Sequence, residues 1–129
     1  MLKIRKEQMD IFQQKAEINF VHHVAKQLRN NHAEAVKDVP EDKLYKCVEY
    51  GIRCAREYGL TWKNNLRTFV TLMFEIAPDF DSYPVFHNYL TDESIQPNHR
   101  MEIILDKTIG SDWKKAREAS TKDWPEELQ

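Results

Sequence analysis

The chain has 129 residues, 41% of them apolar and 31% charged, a composition typical of one globular domain rather than of a disordered chain. Its 19 basic and 21 acidic side chains leave a formal net charge of −2, which gives no reason to expect nucleic acid or an anionic membrane as a partner. Neither a run of about 18 apolar residues nor the apolar core of a signal peptide occurs, so we expect a cytoplasmic protein that spans no membrane.

Three long segments carry apolar residues at the spacing of an α-helix, in residues 5–31, 41–58 and 62–77. The stripe of the first segment consists of Met9, Phe12, Ala16, Phe20, Val21, Val24 and Leu28. In the second segment Gly51 lies within the stripe, where the absence of a side chain would let another helix approach closely. Gly59 is placed to stop this second helix, because glycine readily adopts the left-handed conformation that follows a helix end.

The third helix is predicted to begin at the cap residue Thr61 and to end before Pro78, because the residue preceding a proline is driven out of helical geometry. Beyond it, Pro84 and Pro97 are placed to open shorter helices. Ser111 is placed to cap the last one.

No segment shows convincing strand alternation, so the sequence predicts an all-α fold. We expect a compact bundle of three main helices with shorter C-terminal helices packed against them. The predicted domain covers residues 1–120, and residues 121–129 are predicted to form a loose tail.

Residues that could hold a metal or act as nucleophiles are few and poorly spaced. Cys47 and Cys54 are seven positions apart on one predicted helix, a rise of about 10 Å that prevents a disulfide and favours buried free thiols. His22 and His23 are adjacent, so on a helix they would point about 100° apart. No zinc, P-loop or dinucleotide motif occurs, and we expect neither a metal, a cofactor nor an enzyme.

Residues 78–84 read PDFDSYP and allow several interpretations. Asp79 and Asp81 could form an acid–base pair or part of a calcium loop, but two carboxylates without further ligands are too few for either. The stretch is better explained as a corner between two helices. In that interpretation Phe80 fills the core, and Asp81 or Ser82 caps the following helix.

No lysine or arginine occurs between Glu75 and His99, a stretch that combines acidic with aromatic side chains. Aromatic residues commonly anchor protein interfaces, and surrounding charge steers a partner of opposite sign. We predict that this segment binds a protein partner through Asp79, Asp81, Tyr83, Phe86, Tyr89, Asp92 and Glu93. Two alternatives stay open: the aromatic rings fill the core beside merely solvated acids, or the basic N-terminus (Lys3, Arg5, Lys6) contacts this segment within the fold.

Three stretches carry a family resemblance: IRKEQM at residues 4–9, YGLTWKNNLRTFVTLMF at 58–74, and PDFDSYP at 78–84. In this order they resemble small helical proteins encoded in bacterial type VI secretion effector gene clusters, near spike, PAAR-type and toxin genes. The similarity covers about residues 4–90. It implies no catalytic residues, but it implies a cytoplasmic protein that acts with a secreted toxin.

From this context we expect a non-catalytic protein-binding module, an adaptor or chaperone-like factor for a toxin or spike component. Two alternatives remain. The first is an immunity protein that binds and blocks a cognate toxin. The second is a small helical enzyme or toxin that uses Asp79 and Asp81.

Overall fold

The computed structural model describes residues 6–128, except for the side chains of Lys6, Glu7 and Phe12. Within this part of the chain all regular structure is helical, which confirms the predicted all-α class. The α-helices are α1 (Lys6–Asn31), α2 (Ala33–Val36), α3 (Glu41–Glu57), α4 (Lys63–Glu75), α5 (Pro84–Leu90), α6 (Pro97–Lys107) and α7 (Gly110–Ala119). Short 3-10 turns lie at Phe80–Ser82 and Glu126–Leu128.

The centre of the fold is the contact between α3 and α4. Helix α1 packs along α3, and α6 packs against both α4 and α5. Phe80 stands in the core between two further rings, with ring centroids 5.0 Å from Phe69 and 5.4 Å from Phe86. All three rings are fully buried, so Phe80 fills the core as predicted.

Among the described side chains of the apolar stripe of α1, the buried ones lie in the C-terminal half of the helix. Phe20, Val24 and Leu28 are buried, whereas Met9 is 45% exposed and Ala16 is also exposed. Helix α1 has 26 residues but α3, which covers it, has only 17, so roughly 13 Å of α1 has no length of α3 beside it. At Met9 and Ala16 the apolar stripe read from the sequence is therefore not part of the core. The alternative in which Lys3, Arg5 and Lys6 contact the segment between Glu75 and His99 concerns residues and side chains outside those that the structure describes.

Gly51 permits a close approach of α3 to α4. A Cβ atom at this position would lie 2.9 Å from Val70 Cγ2 and 3.0 Å from Met73 Sδ. We expect Gly51→Ala to lower the free energy of unfolding by about 1 kcal/mol in urea denaturation. Alanine is the better helix former by about 1 kcal/mol, but crowding a packed core costs about 1–3 kcal/mol.

Gly110→Ala is the matched control for this prediction, because nothing lies within 4 Å of a Cβ atom built at that glycine. We expect Gly110→Ala to leave stability unchanged or to raise it slightly. Equal stability changes for Gly51→Ala and Gly110→Ala would show that the approach of α3 to α4 does not need a glycine.

The end of α3 confirms the predicted role of Gly59, whose φ angle is +86°. Its N–H donates to the Arg56 carbonyl at 2.9 Å, and the Leu60 N–H donates to the Ala55 carbonyl at 3.3 Å. This pair of bonds is a Schellman motif, which satisfies carbonyls that the helix leaves without partners. Leu60 then enters the core, fully buried.

The side-chain caps predicted for α4 and α7 are wrong. Thr61 does not cap α4 with its own side chain; instead Asn98 Oδ1, from α6, accepts hydrogen bonds from the N–H groups of Thr61 (2.9 Å) and Trp62 (3.1 Å). Helix α7 begins at Gly110, ahead of the predicted Ser111 cap, and the Asp112 carboxylate accepts the Ile109 N–H at 2.9 Å.

Arg100 of α6 is 9% exposed and lies among the ends of other elements. Its guanidinium donates to three backbone carbonyls: Leu90 at 2.8 Å, Ile95 at 3.0 Å and Tyr58 at 3.2 Å. Leu90 ends α5 and Tyr58 follows α3, so a cation meets the negative ends of two helix dipoles. Arg100 thereby ties α3, α5 and α6 together.

The C-terminal segment differs from the loose tail predicted for residues 121–129. Trp124 packs against Phe74 and Tyr50, with ring centroids 4.8 Å and 6.2 Å apart. Leu128 is buried against the same side of the molecule as Cys47. These contacts arise because α3 and α4 leave apolar surface that the bundle itself does not cover.

Candidate functional site

The corner at residues 78–84 presents the predicted acids. Pro78 follows α4, the chain makes a 3-10 turn, and Pro84 opens α5. Neither Asp81 nor Ser82 caps α5, because the cap position is occupied by Tyr83 and receives no side-chain hydrogen bond. That predicted capping role is therefore wrong.

Both carboxylates of the corner have hydrogen-bond partners within the chain. Ser120, after α7, donates its hydroxyl to Asp79 Oδ1. Tyr58, after α3, donates its hydroxyl to Asp81 Oδ2 at 2.7 Å. Burial and this bond to Asp81 raise the pKa of Tyr58 far above its usual range, so the phenol remains a donor. The two acids thus bind different elements of the fold.

The three predicted aromatic anchors lie in different environments. Phe86 is fully buried and cannot contact a partner in this fold, which corrects its place in the predicted binding set. Its position at the third residue of α5 turns it toward the core, beside Phe80. Tyr83 and Tyr89 are half-buried, packed against the core but reaching the surface.

The two remaining acids follow α5. Asp92 Oδ1 accepts hydrogen bonds from the Ser94 N–H at 2.9 Å and the Ser94 hydroxyl at 2.6 Å. These bonds lower the pKa of Asp92, because they stabilise its charged form. Glu93 beside it is exposed.

We use "acidic surface" for Asp79, Asp81, Tyr83, Tyr89, Asp92 and Glu93. One acid pair precedes α5 and the other follows it, and the seven residues of that helix span about 10 Å. Tyr83 lies close in the chain to the first pair, and Tyr89 lies close to the second. The arrangement presents negative charge at two points with partly accessible aromatic rings beside them.

A second polar site lies in a groove of about 590 Å³ between α1, α4, α6 and α7. His32 Nδ1 is 2.8 Å from Glu75 Oε1, and about a third of each side chain is exposed. Because a carboxylate can only accept, Nδ1 carries the proton, and the other ring nitrogen is left to bond elsewhere. The groove residues are Gln27, Leu28, Asn31, His32, Arg67, Thr68, Thr71, Leu72, Glu75, Leu105 and Trp113; we call it the His32–Glu75 groove.

Sequence reasoning missed this groove, because His32 and Glu75 are 43 positions apart and neither belongs to a motif. One signal was available. Arg67, Thr71 and Glu75 are spaced by four, which places three polar side chains on one face of α4. Such a polar row on a helix that also carries a core-facing apolar stripe is a reason to look for a site there.

Both cysteines are free. Burial raises the pKa of Cys47 to about 11, so at neutral pH it is a thiol rather than the reactive thiolate. Among the described residues, no cluster of histidine, cysteine, aspartate and glutamate could hold a metal ion. None of the described helices combines the length and the apolarity that crossing a bilayer requires.

Comparison with family models, with curated proteins and with solved structures gives no significant match. The resemblance to proteins of type VI effector clusters therefore stays a prediction from the three stretches quoted above.

Proposed function

We propose that the protein is a non-catalytic binding module of a type VI secretion effector cluster, acting as an adaptor or chaperone-like accessory factor for a toxin or spike component. The observation that carries the proposal is the acidic surface, two acid pairs flanking α5 with a half-exposed tyrosine at each. The family resemblance supplies the biological context.

The chemistry of this surface favours a protein partner with a basic patch. No lysine or arginine occurs in residues 76–99 to neutralise the acids from within the same segment. Hydrogen bonds from Ser94 keep Asp92 charged, so it contributes negative potential at neutral pH. Tyrosines with one face on the core and one at the surface are rigid anchors, which lose little conformational entropy on binding.

An immunity protein is the second candidate, and the same acidic surface favours it. A nuclease toxin presents a positively charged active site, and a surface with spaced negative charges can occupy such a site. The two candidates differ in what the bound toxin does afterwards. An adaptor delivers it, whereas an immunity protein blocks it.

An enzyme that uses Asp79 and Asp81 has less support. Ser120 and Tyr58 each engage one of these carboxylates, and the two bonds lead to different elements. A paired acid–base mechanism needs two carboxylates that act on one substrate.

The proposal predicts that a toxin or spike component encoded beside this protein co-purifies with it from cells that express the native operon. We expect Asp92→Asn combined with Glu93→Gln to weaken that complex about tenfold at moderate salt, because the loss of two rim charges lowers both attraction and association rate. Quantitative pull-down or biolayer interferometry would measure the change.

The matched control is Glu102→Gln combined with Asp106→Asn, two exposed acids of α6 outside the acidic surface. It changes the net charge of the chain equally, so we expect it to retain binding. If no effector or spike component co-purifies with the wild-type protein, the binding proposal fails. Equal weakening by both double variants would show that the acidic surface is not the binding site.

Deleting the gene separates the two candidates. Self-intoxication of the cells would favour the immunity protein. Healthy cells that no longer deliver the toxin would favour the adaptor.

A further inference from the structure

The His32–Glu75 groove has opposite charges at its two ends along α4. Arg67 and Glu75 are eight residues apart on this helix, which places them about 12 Å from one another along its axis. Thr71 lies halfway between them on the same face. On α1, the carboxamides of Gln27 and Asn31 also line the groove, one helical turn apart.

Arg67 supplies the cationic end. Its Nη2 donates to the Asn64 side chain, and its remaining N–H groups make no hydrogen bond within the described residues. A guanidinium carries five donors in a planar fork that matches a carboxylate. The end of the groove at Arg67 is therefore suited to a bound anion.

Glu75 places a carboxylate at the other end. His32 Nδ1 lies 2.8 Å from that carboxylate, and Arg117 donates to the Glu75 backbone carbonyl at 2.8 Å. The free ring nitrogen of His32 can accept one hydrogen bond from a ligand. A ligand with a single terminal carboxylate can bind Arg67 without placing negative charge beside the Glu75 carboxylate.

The floor and side of the groove are apolar. Leu28 and Leu72 are buried beneath it, and Leu105 is 48% exposed at its side. Trp113 lies beside them, and its indole N–H donates to the Thr108 hydroxyl at 3.1 Å, which fixes the ring orientation. Apolar side chains of a ligand would be covered by these groups.

We propose that this groove binds the C-terminal end of an extended polypeptide whose last side chains are apolar. The terminal carboxylate lies on the Arg67 guanidinium, the apolar side chains pack on Trp113 and Leu105, and Gln27 and Asn31 bond the peptide backbone. The 12 Å between Arg67 and Glu75 corresponds to about three to four extended residues, more than a single amino acid needs. This inference does not rest on the acidic surface, with which the groove shares no residue.

The test compares N-acetyl-Gly-Leu-Leu with a free C-terminal carboxylate and the same peptide as its C-terminal amide. Binding is followed on the indole N–H resonance of Trp113 in ¹⁵N-labelled full-length protein, assigned with Trp113→Phe. We expect the free acid to bind at least about tenfold more tightly than the amide, because a charge-assisted contact to Arg67 is lost in the amide. Arg67→Gln should remove that preference, so that acid and amide bind alike.

Arg53→Gln, an exposed arginine of α3 outside the groove, is the control and should retain the preference for the acid. The spectra of both variants report whether the fold is intact. Three results would overturn the proposal: no response of Trp113 to the acid at about 10 mM, where even weak binding is visible; equal binding of acid and amide to the wild type; or an unchanged preference in Arg67→Gln. If N-acetyl-leucine binds as tightly as the tripeptide, the ligand is a small organic acid and the polypeptide assignment is wrong.

Discussion

Phe80→Ala is expected to lower the free energy of unfolding by about 3–5 kcal/mol, the range measured for deleting a buried aromatic ring. Phe80 is fully buried and contacts Phe69 and Phe86 at ring-centroid distances of 5.0 Å and 5.4 Å. The stiff 3-10 turn between Pro78 and Pro84 limits how far the chain can collapse into the cavity left behind. Urea denaturation followed by circular dichroism would measure the loss.

Two variants bracket this prediction. Phe80→Leu fills most of the volume and should lose only about 1–2 kcal/mol. Trp62→Ala removes a larger ring that is 56% exposed, so we expect a change within about 1 kcal/mol. A loss below about 1 kcal/mol for Phe80→Ala would mean that the corner does not depend on its core ring.

Arg100→Met is expected to cost about 3 kcal/mol and to lower the melting temperature by roughly 10 °C. Methionine can fill the space of the side-chain stem, but it offers no donor to the carbonyls of Tyr58, Leu90 and Ile95. The buried Leu90 carbonyl and the partly buried carbonyls of Tyr58 and Ile95 lose their donor, and hydration replaces it only in part. Calorimetry would measure both quantities.

Arg53→Met is the matched control, because Arg53 is exposed on α3 and should tolerate the change within about 0.5 kcal/mol. Arg100→Lys should fall between wild type and Arg100→Met, since an ammonium keeps the charge but cannot reach three carbonyls in the fork geometry of a guanidinium. If the Arg100→Met variant were as stable as the wild type, Arg100 would not be needed to join α3, α5 and α6.

Where the signal is local, the predicted elements agree with the structure. Pro84 and Pro97 open α5 and α6, since proline restricts its own φ angle and has no N–H to leave unpaired. Gly59 ends α3 because few other residues adopt its positive φ angle. Each of these effects acts within a few positions along the chain.

Predictions that depend on a distant partner were less accurate. Thr61 has the chemistry of a cap, but Trp62 occupies the cap position, and the Asn98 side chain, 37 positions after Thr61, accepts the Thr61 N–H. The apolar stripe of α1 includes Met9 and Ala16 as well as Phe20 and Leu28, yet of these four only Phe20 and Leu28 are buried. Periodicity identifies the apolar face of a helix but not whether another helix lies against it.

The candidate sites also differ in whether local sequence or distant contacts define them. Acidic residues around α5 were identifiable from composition, because the absence of lysine and arginine is visible in the sequence itself. The sequence did not show whether each aromatic ring faces the core or the solvent, and Phe86 is buried in the core. The His32–Glu75 groove joins α1, α4, α6 and α7, and only their packing brings its charges together.

By itself, then, the sequence determined the helical class, the order of the main helices and where prolines and glycine begin or end them. These features follow from side-chain periodicity and backbone conformational preferences, which are local. The tertiary structure alone decided the hydrogen bonds of Asn98 to the chain just before α4, the burial of Arg100 beside three carbonyls, and the pairing of His32 with Glu75. Those contacts exist because packing of the apolar faces brings distant polar groups together. A polar group removed from water costs free energy unless it forms a hydrogen bond there.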